Sequence, residues 1–305
     1  MVGPVVRSMF SLVLALAAAN PPVGCQETAI RVDVNVVNVL CTVRDHRGAL
    51  VNDLRRDDFE VRENGRVQEI RYFARETDLP LTVALLVDVS GSVRPHIQEE
   101  KEAAGQFFGL VLRPSDHALL LGFSSTLMLW QDFTSSTARL REALAALRAV
   151  PFRGLPPDGE AMPSTLLYDA VYQAALQKLK GVPGRKAMII ISDGLDNGSR
   201  KHLGDAIEAV QGTDTIVYGI CYQSGFPGCD FLKEMAEPTG GRMFKAGKKI
   251  PLATIFQSIE DELRSQYALG YVPVKRPHDG AFHKLEVRVR VKGLKVSARK
   301  GYYAN

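Results

Sequence analysis

The chain has 305 residues, of which 46% are hydrophobic and 24% are charged. This balance is typical of a folded soluble protein of about two domains, and it excludes wholesale disorder and a polytopic membrane protein. The formal net charge of +4 comes from 38 basic and 34 acidic residues scattered along the chain, so the composition gives no support for a nucleic-acid partner.

The first predicted element is an export signal over residues 1–24. Arg7 precedes an apolar run from Met9 to Ala19, which is the pattern of a secretory signal peptide. The run is too short for a transmembrane helix, which needs about 20 residues, so we expect a periplasmic, cell-surface or secreted protein. Two cleavage sites compete, one after Ala19 and one before Cys25, and the second would place a lipid anchor on Cys25. The alternative is a buried N-terminal helix, which the lack of a polar face disfavours.

Residues 28–76 alternate apolar and polar side chains, which predicts β-strands. The alternation runs from Ile30 to Val39, a second strand begins at Phe59, and the Asn64–Gly65 pair predicts a tight hairpin turn. We expect the segment 67–73 to fold back antiparallel after this turn. Three or four strands are too few for a stable domain of their own.

Residues 81–266 instead alternate apolar strands with helices. The first strand, Leu81 to Val87, is a continuous apolar run, as in a parallel strand buried on both faces. Further strands are predicted at 118–123, 126–130, 187–192, 215–220 and 242–244, and helices at 95–112, 136–150, 166–180, 203–211, 231–236 and 251–266. This order predicts an α/β fold with a doubly wound, mostly parallel sheet of six strands.

Residues 267–305 return to strand patterns, with predicted strands at 267–272, 282–291 and 295–299. Like residues 28–76, this segment is too small to be stable alone. We therefore expect the two terminal segments to form one small β-sandwich into which the α/β domain is inserted. The alternative is two separate β appendages.

Oxygen-bearing side chains lie where three separated segments of the α/β domain reach the same edge. Asp88, Ser90 and Ser92 follow the first strand, Asp193 follows the strand at 187–192, and Thr165 precedes a helix. Doubly wound sheets bind ligands at the carboxyl ends of their strands, so we expect these groups to meet. Carboxylate and hydroxyl oxygens are ligands of hard divalent cations, so we predict one Mg²⁺ or Mn²⁺ ion, with Ca²⁺ as the alternative.

This ordered set of motifs resembles the von Willebrand factor type A (vWA) domain and its metal-ion-dependent adhesion site (MIDAS). The resemblance covers residues 81–266 and comprises the DxSxS motif that starts at Asp88, the threonine Thr165, the Asp193–Gly194 pair and the late segment from Thr239 to Phe244. The flanking β segments resemble those of the exported bacterial proteins called VWFA-related.

The resemblance implies a role for each residue of the set. Three hydroxyl groups would bind the metal directly and two carboxylates would bind directly or through water, namely those of Ser90, Ser92 and Thr165, and those of Asp88 and Asp193. The last metal position would accept an Asp or Glu side chain of a protein partner. Ser164 is an alternative hydroxyl ligand, Asp169 is expected behind the ligands or on the helix surface, and Asp196 is expected to be a solvated loop acid. A domain that keeps the sheet without a metal is the alternative.

The four cysteines lie at positions 25, 41, 221 and 229. Cys41 lies in an apolar stretch and is predicted to be a core residue. Cys221 and Cys229 bracket a segment containing glycine and proline, and export would place them in an oxidising compartment, so we predict a disulfide between them. The alternative is two free thiols. The cysteines and the six histidines form no zinc-binding pattern.

The leading functional prediction is an exported, metal-dependent protein–protein interaction or adhesion module. An envelope assembly or quality-control factor would have the same site and would differ in its client. A metal-assisted hydrolase is the alternative of another class, but Ser90 and Ser192 lack the Gly-x-Ser-x-Gly pattern and no histidine lies near them in sequence as a base. We therefore predict a protein that is not an enzyme.

Overall fold

Two kinds of sheet make up the structure, one mostly parallel and the other antiparallel. The computed structural model describes residues 36–75, 79–149, 164–222, 228–273 and 280–304. Within these residues the strands are β1 (Val37–Arg44), β2 (Phe59–Glu63), β3 (Arg66–Gln68), β4 (Tyr72–Arg75), β5 (Leu81–Asp88), β6 (His117–Phe123), β7 (Leu127–Thr134), β8 (Arg185–Ser192), β9 (Thr215–Cys221), β10 (Met243–Lys245), β11 (Tyr267–Tyr271), β12 (Phe282–Val289), β13 (Lys295–Ala298) and β14 (Gly301–Tyr303). The α-helices are α1 (Ile97–Val111), α2 (Thr137–Ala146), α3 (Leu167–Gln173), α4 (Leu203–Gly212), α5 (Gly228–Ala236) and α6 (Leu252–Arg264).

The six-stranded sheet has the order β10-β9-β8-β5-β6-β7. Its strands run parallel except β7, which pairs antiparallel with β6. All eight residues of β5 are buried, because this central strand has neighbours on both sides and helices over both faces. The predicted α/β fold with a mostly parallel sheet is confirmed.

Helices cover the two faces of this sheet and form two separate cores. Val83 and Leu85 of β5 pack in the core that contains residues of α1, α2 and α6. Ala84 and Leu86, which alternate with them, pack in the core that contains residues of α3, α4 and α5. The continuous apolar run of β5 therefore follows from burial of both faces.

The helix limits differ from the sequence prediction at three places. The segment Gly91–His96 is a 3-10 helix ahead of α1, and it contains Pro95, which has no N–H group to donate within a regular helix. Helix α2 ends at Ala146, where the backbone becomes extended, and α3 continues as a π-helical stretch, Ala174–Leu179.

The terminal segments form two four-stranded sheets around a shared core. Their orders are β13-β1-β11-β4 and β14-β12-β2-β3, and residues of both sheets pack in one hydrophobic cluster. In each sheet a C-terminal strand, β11 or β12, lies between two partners and pairs with an N-terminal strand. Residues 1–24, Cys25 and the predicted strand start at Ile30 lie outside the described residues.

Aromatic side chains fill the middle of this sandwich. The ring centroid of Tyr267 lies 5.1 Å from that of Phe59 and 5.9 Å from that of Phe73. The Tyr267 hydroxyl donates to the carbonyl of Val51 and accepts from the N–H of Leu54, at 2.8 and 3.1 Å, so the buried hydroxyl is satisfied. Cys41 is a buried free thiol in the same core.

The predicted hairpin is correct at its turn and wrong in its second strand. Asn64 and Gly65 both have positive φ, and β2 pairs antiparallel with β3. The returning strand, however, ends at Gln68, and β4 pairs with β11 in the other sheet. The alternation of side chains in residues 67–73 therefore came from two short strands that belong to different sheets, and β14 was missed.

Two buried side-chain contacts join the α/β domain to its surroundings. Arg185, which is 6% exposed, donates from Nη1 to the carbonyl of Leu263 at 2.6 Å and from Nε and Nη2 to the carbonyl of Leu79 at 3.2 and 3.1 Å. One side chain thus connects the segment that enters β5 with the end of α6. Glu262 of α6 is 2% exposed and accepts from Arg44 of β1 at 2.6 Å and from Arg242 at 2.5 Å.

Candidate metal centre

Asp88 lies at the carboxyl end of the central strand β5 and is fully buried. Its Oδ1 accepts a hydrogen bond from the backbone N–H of Ser90 at 2.9 Å. Its Oδ2 accepts from the hydroxyl of Ser192, the last residue of β8, at 2.7 Å. The Ser192 hydroxyl in turn accepts from the N–H of Gly194 at 2.9 Å, so side-chain contacts fix the ends of two neighbouring strands.

The electrostatic surroundings of Asp88 disfavour its negative charge. Burial raises its pKa to about 6, the nearby Asp193 raises it further, and the hydrogen bonds from Ser90 and Ser192 oppose this rise. A buried carboxylate regains stability when a cation lies close to it. A cation bound close to Asp88 would therefore stabilise its ionised form.

Asp193 follows β8 and is 4% exposed. Its Oδ1 accepts from the N–H of Leu195 at 3.0 Å. The next residue, Gly194, has a φ of +79°, and a Cβ atom there would lie 2.0 Å from the carbonyl oxygen of Gly228. Only glycine fits this close approach, which fixes the turn that carries Asp193 against the start of α5.

A disulfide joins the end of β9 to the first turn of α5. Cys221 and Cys229 are bonded, and their Cα atoms are 5.6 Å apart. Both half-cystines are buried beneath the edge that carries Asp193, and the Cys221 sulfur lies 3.7 Å from the Asp193 carbonyl oxygen. The disulfide thus holds α5 against the loop that follows β8.

Thr165 reaches the same edge through reciprocal contacts with Asn197. The Thr165 N–H donates to Oδ1 of Asn197 at 2.6 Å, and the Asn197 N–H donates to the Thr165 carbonyl at 3.3 Å. The next N–H, that of Leu166, donates to the carbonyl of Ser124 just after β6, at 2.9 Å. These bonds attach the segment before α3 to the loops that follow β6 and β8.

Asp196 and Asp169 fasten the loop after β8 to helix α3. Asp196 accepts from the N–H of Tyr168 at 3.0 Å and from the hydroxyl of Ser199 at 2.6 Å. Asp169 accepts from the N–H groups of Arg200 and Lys201 at 3.2 and 2.9 Å. The expectation that Asp196 is a solvated loop acid is therefore wrong, because its carboxylate accepts from one backbone N–H at the start of α3 and from the N–H and hydroxyl of Ser199.

Comparison with known proteins agrees with this geometry. A family model described as von Willebrand factor type A domain matches residues 83–195, which include Asp88, Thr165 and Asp193. The chain contains a von Willebrand factor type A domain. No curated protein matches the chain in sequence.

Solved structures of the same fold include those of proximal thread matrix protein 1 (PTMP1) from the mussel byssus. A structure of PTMP1 with a zinc-occupied MIDAS motif aligns with a TM-score of 0.54 and 16% identity, over 67% of this chain and 50% of that chain. A second PTMP1 structure aligns with a TM-score of 0.53 and 16% identity, over 66% and 51%. The chain thus spans about half the length of the PTMP1 structures, and the likeness establishes the fold alone.

The vWA domain brings together most of the predicted set. Asp88, Ser90 and Asp193 lie at the ends of the neighbouring strands β5 and β8, and Thr165 is held there through Asn197. The Ser92 side chain lies outside the described residues. No group of three or more His, Cys, Asp or Glu side chains in the described ranges could hold a metal, so a metal centre here depends on the serine and threonine hydroxyls.

Several polar residues beside this edge of the vWA domain were not expected from the sequence. Ser192 was considered only as a nucleophile, whereas its hydroxyl orients Asp88. Glu100 of α1 is 2% exposed, and burial and the charge of Asp88 raise its pKa. Among the residues that the structure describes, neither of its carboxyl oxygens has a hydrogen-bond partner. The buried hydroxyl of Tyr222 also lacks a hydrogen-bond partner in the described part of the chain, and the Tyr222 ring stacks on that of His96, with 4.5 Å between the ring centroids. The sequence did not indicate that Glu100 would be buried, because two consecutive glutamates on a helix would both be expected at the surface, where Glu99 indeed lies.

Proposed function

We propose that this chain is an exported binding module that captures a protein partner through one divalent cation. The observation that carries the proposal is the burial of Asp88 and Asp193 close together at the carboxyl ends of β5 and β8, at 0% and 4% exposure. The charges of two neighbouring carboxylates are costly to bury without a cation. Nothing in this arrangement calls for a catalytic group, so we propose binding and no catalysis.

The donor set fits a hard cation. Five residues would hold it: Ser90, Ser92 and Thr165 through hydroxyl oxygens, and Asp88 and Asp193 directly or through water. Oxygen ligands without nitrogen or sulfur favour Mg²⁺ or Mn²⁺, with Ca²⁺ as the alternative. PTMP1, which shares the fold, has been solved with a zinc-occupied MIDAS motif, which supports a divalent cation at the corresponding edge of this domain.

The bound cation would supply a Lewis-acid position for a carboxylate of the partner. We propose that an Asp or Glu side chain of a protein ligand takes this position, while the loops fixed by Asn197, Asp196 and the disulfide form the surrounding contact surface. Export rests on the N-terminal sequence pattern, and Cys25 is the proposed lipidation residue. No helix in the described part of the chain is long and apolar enough to span a membrane.

Metal binding is tested by titration calorimetry of the purified chain with Mg²⁺ and Mn²⁺. We expect one binding event in the wild type and none in the double variant Asp88→Ala/Asp193→Ala. The matched control Asp57→Ala/Asp261→Ala also removes two carboxylates, but both are exposed and distant from the vWA edge, so binding should be retained. Equal uptake of metal by the wild type and the Asp88/Asp193 variant would place the site elsewhere.

Partner binding is tested by immobilising the wild type and both double variants and exposing them to envelope extract. A protein ligand should bind to the wild type and to the control in Mg²⁺, should elute with a chelator, and should be absent from the Asp88/Asp193 variant. Ligand retention that is insensitive to the chelator would contradict the carboxylate mechanism even if the metal itself binds.

A further inference from the structure

A cavity lies at the edge of the parallel sheet opposite the metal centre. Its volume is about 210 Å³, and its lining includes the starts of β8 and β9, the end of α4 and residues of β1 and the β13–β14 connection. Lys186 and Ile216 contribute from the vWA domain, whereas Leu40 and Arg299 contribute from the sandwich. The cavity therefore lies between the two parts of the chain and uses none of the residues of the proposed metal site.

Of the two cations that line the cavity, Lys186 forms no salt bridge within the described residues, although Asp214 is close enough to attract its charge. Arg299 is paired with Asp214 and also donates to the carbonyl of Asn38 at 2.6 Å. Lys186 donates from Nζ to the carbonyl of Val182 at 3.0 Å, and it forms no ion pair with any residue that the structure describes. Burial lowers its pKa, which means that its charge is only partly solvated.

The remaining wall combines apolar surface with the polar side chains of Asn38, Gln211, Thr215 and Thr239. Those of Gln211, Thr215 and Thr239 form hydrogen bonds within the protein. Ile216 is 7% exposed and Leu40 is partly buried, and both lie in the lining together with Gly184 and Gly301. A ligand that fits needs one negative group for Lys186 and an apolar body. The Asp214 carboxylate near Lys186 disfavours a doubly charged group such as phosphate.

We propose that this cavity binds a small monocarboxylate with an apolar tail. Its carboxylate would pair with the Lys186 ammonium, and its tail would lie against Leu40 and Ile216. Because the ligand would contact the vWA domain and the sandwich together, its binding would also hold the two parts against each other. The inference is independent of the metal-binding proposal, since the two sites lie at opposite ends of β8.

The test uses hexanoate as the probe and follows backbone amide signals by NMR in the full chain. We expect shifts at Leu40, Ile216 and Thr239, and at least about tenfold weaker binding in Lys186→Gln, since a hydrogen bond to a charged group contributes that much or more. Lys186→Arg retains the cation and should keep binding, and the matched control Lys292→Gln removes an exposed lysine from a distant turn and should bind like the wild type. Hexanoate binding that is unchanged in Lys186→Gln would overturn the proposal, as would the absence of binding at millimolar hexanoate.

A second variant keeps the test valid if Lys186→Gln fails to fold. Asn38 is exposed at the cavity lining, so Asn38→Trp should block the cavity while both cations remain. We expect loss of the hexanoate shifts in Asn38→Trp. Hexanol, which has the same tail and no charge, should bind more weakly than hexanoate to the wild type, and equal binding of the two would refute the role of Lys186.

Discussion

The strands of the vWA domain and those of the sandwich differ in where along the chain their partners lie. In the vWA domain, β5 pairs with β6 and β8, and all three belong to one continuous segment. In the sandwich, β1 pairs with β11 and β2 pairs with β12, across the whole inserted domain. The vWA domain therefore contains its own core, whereas each half of the sandwich depends on the other end of the chain.

The largest test of this difference is removal of residues 267–305, which deletes β11, β12, β13 and β14. We expect complete loss of amide protection in β1 to β4, because β1, β2 and β4 lose pairing partners and the shared core loses Tyr267 and Tyr271. Protection in β5, β6, β8 and β9 should persist. Hydrogen exchange measured by mass spectrometry checks both. Protected amides in residues 37–75 of the truncated chain would show that the N-terminal strands are an independent appendage.

The contact between the two regions is broken by Glu262→Gln. The buried carboxylate accepts from Arg44 of the sandwich and Arg242 of the vWA domain, whose side chains are 20% and 41% exposed. Weakening these two charge-assisted hydrogen bonds should lower the free energy of unfolding by about 3 kcal/mol. Urea unfolding measures the change. The matched control is Glu286→Gln, which breaks an exposed pair with Arg288 and should cost less than about 1 kcal/mol. Equal small effects of the two variants would mean that Glu262 does not hold the domains together.

The stability of the vWA domain should depend on pH through the buried carboxyl group of Asp88. Burial raises the pKa of Asp88 from 3.8 to about 6, so the folded chain holds this proton more tightly than the unfolded chain. Stability without metal should therefore decrease as pH rises from about 4 to 6, by about 3 kcal/mol from this group. Urea unfolding in a chelator measures this slope.

Asp88→Asn should flatten the slope, whereas Asp57→Asn, which changes an exposed carboxylate of the sandwich, should keep it. Any decrease that remains in Asp88→Asn is expected from Glu100, whose pKa is also raised by burial. The difference between the wild type and Asp88→Asn isolates this group, and a difference of the opposite sign would contradict the assigned environment of Asp88.

The smallest expected effect concerns the disulfide, which is confined to the vWA domain. Cys221→Ser/Cys229→Ser should lower the free energy of unfolding by about 2 to 3 kcal/mol, because the bond restricts the unfolded chain. A reducing agent should destabilise the wild type by the same amount and leave the double variant unchanged, since Cys41 is a free thiol. Peptide mapping of the protein purified without a reducing agent that finds both thiols free would contradict the bond.

The sequence predicted features that depend on local pattern. The buried run of β5, the Asn64–Gly65 turn and the order of Asp88, Thr165 and Asp193 are all visible in consecutive residues. The paths of Gln68 to Arg75 were not predicted, because side-chain alternation indicates a strand without indicating the sheet to which it belongs.

The contacts that shape the metal centre were also beyond sequence reasoning. Asp196 resembles any polar loop residue until the loop folds back onto α3, and Ser192 acquires its role only because β8 lies beside β5. Arg185 is charged and would be expected at the surface, yet the carbonyls of Leu79 and Leu263 satisfy its donors in the interior. Such residues are defined by long-range neighbours that no short window contains.

The Arg185 contacts have a consequence for how the molecule would bear mechanical tension. A partner bound at the proposed metal site would pull on the carboxyl ends of β5 and β8, while the chain joins the sandwich through the segments before β5 and after α6. There Arg185 connects the peptide before β5 to the last turn of α6. The two segments that join the vWA domain to the sandwich therefore lie side by side and would carry the tension together. Its hydrogen bonds to Leu79 and Leu263 would have to break before either connection could separate from the other. Under tension the two connections would therefore stay together at the base of the inserted domain.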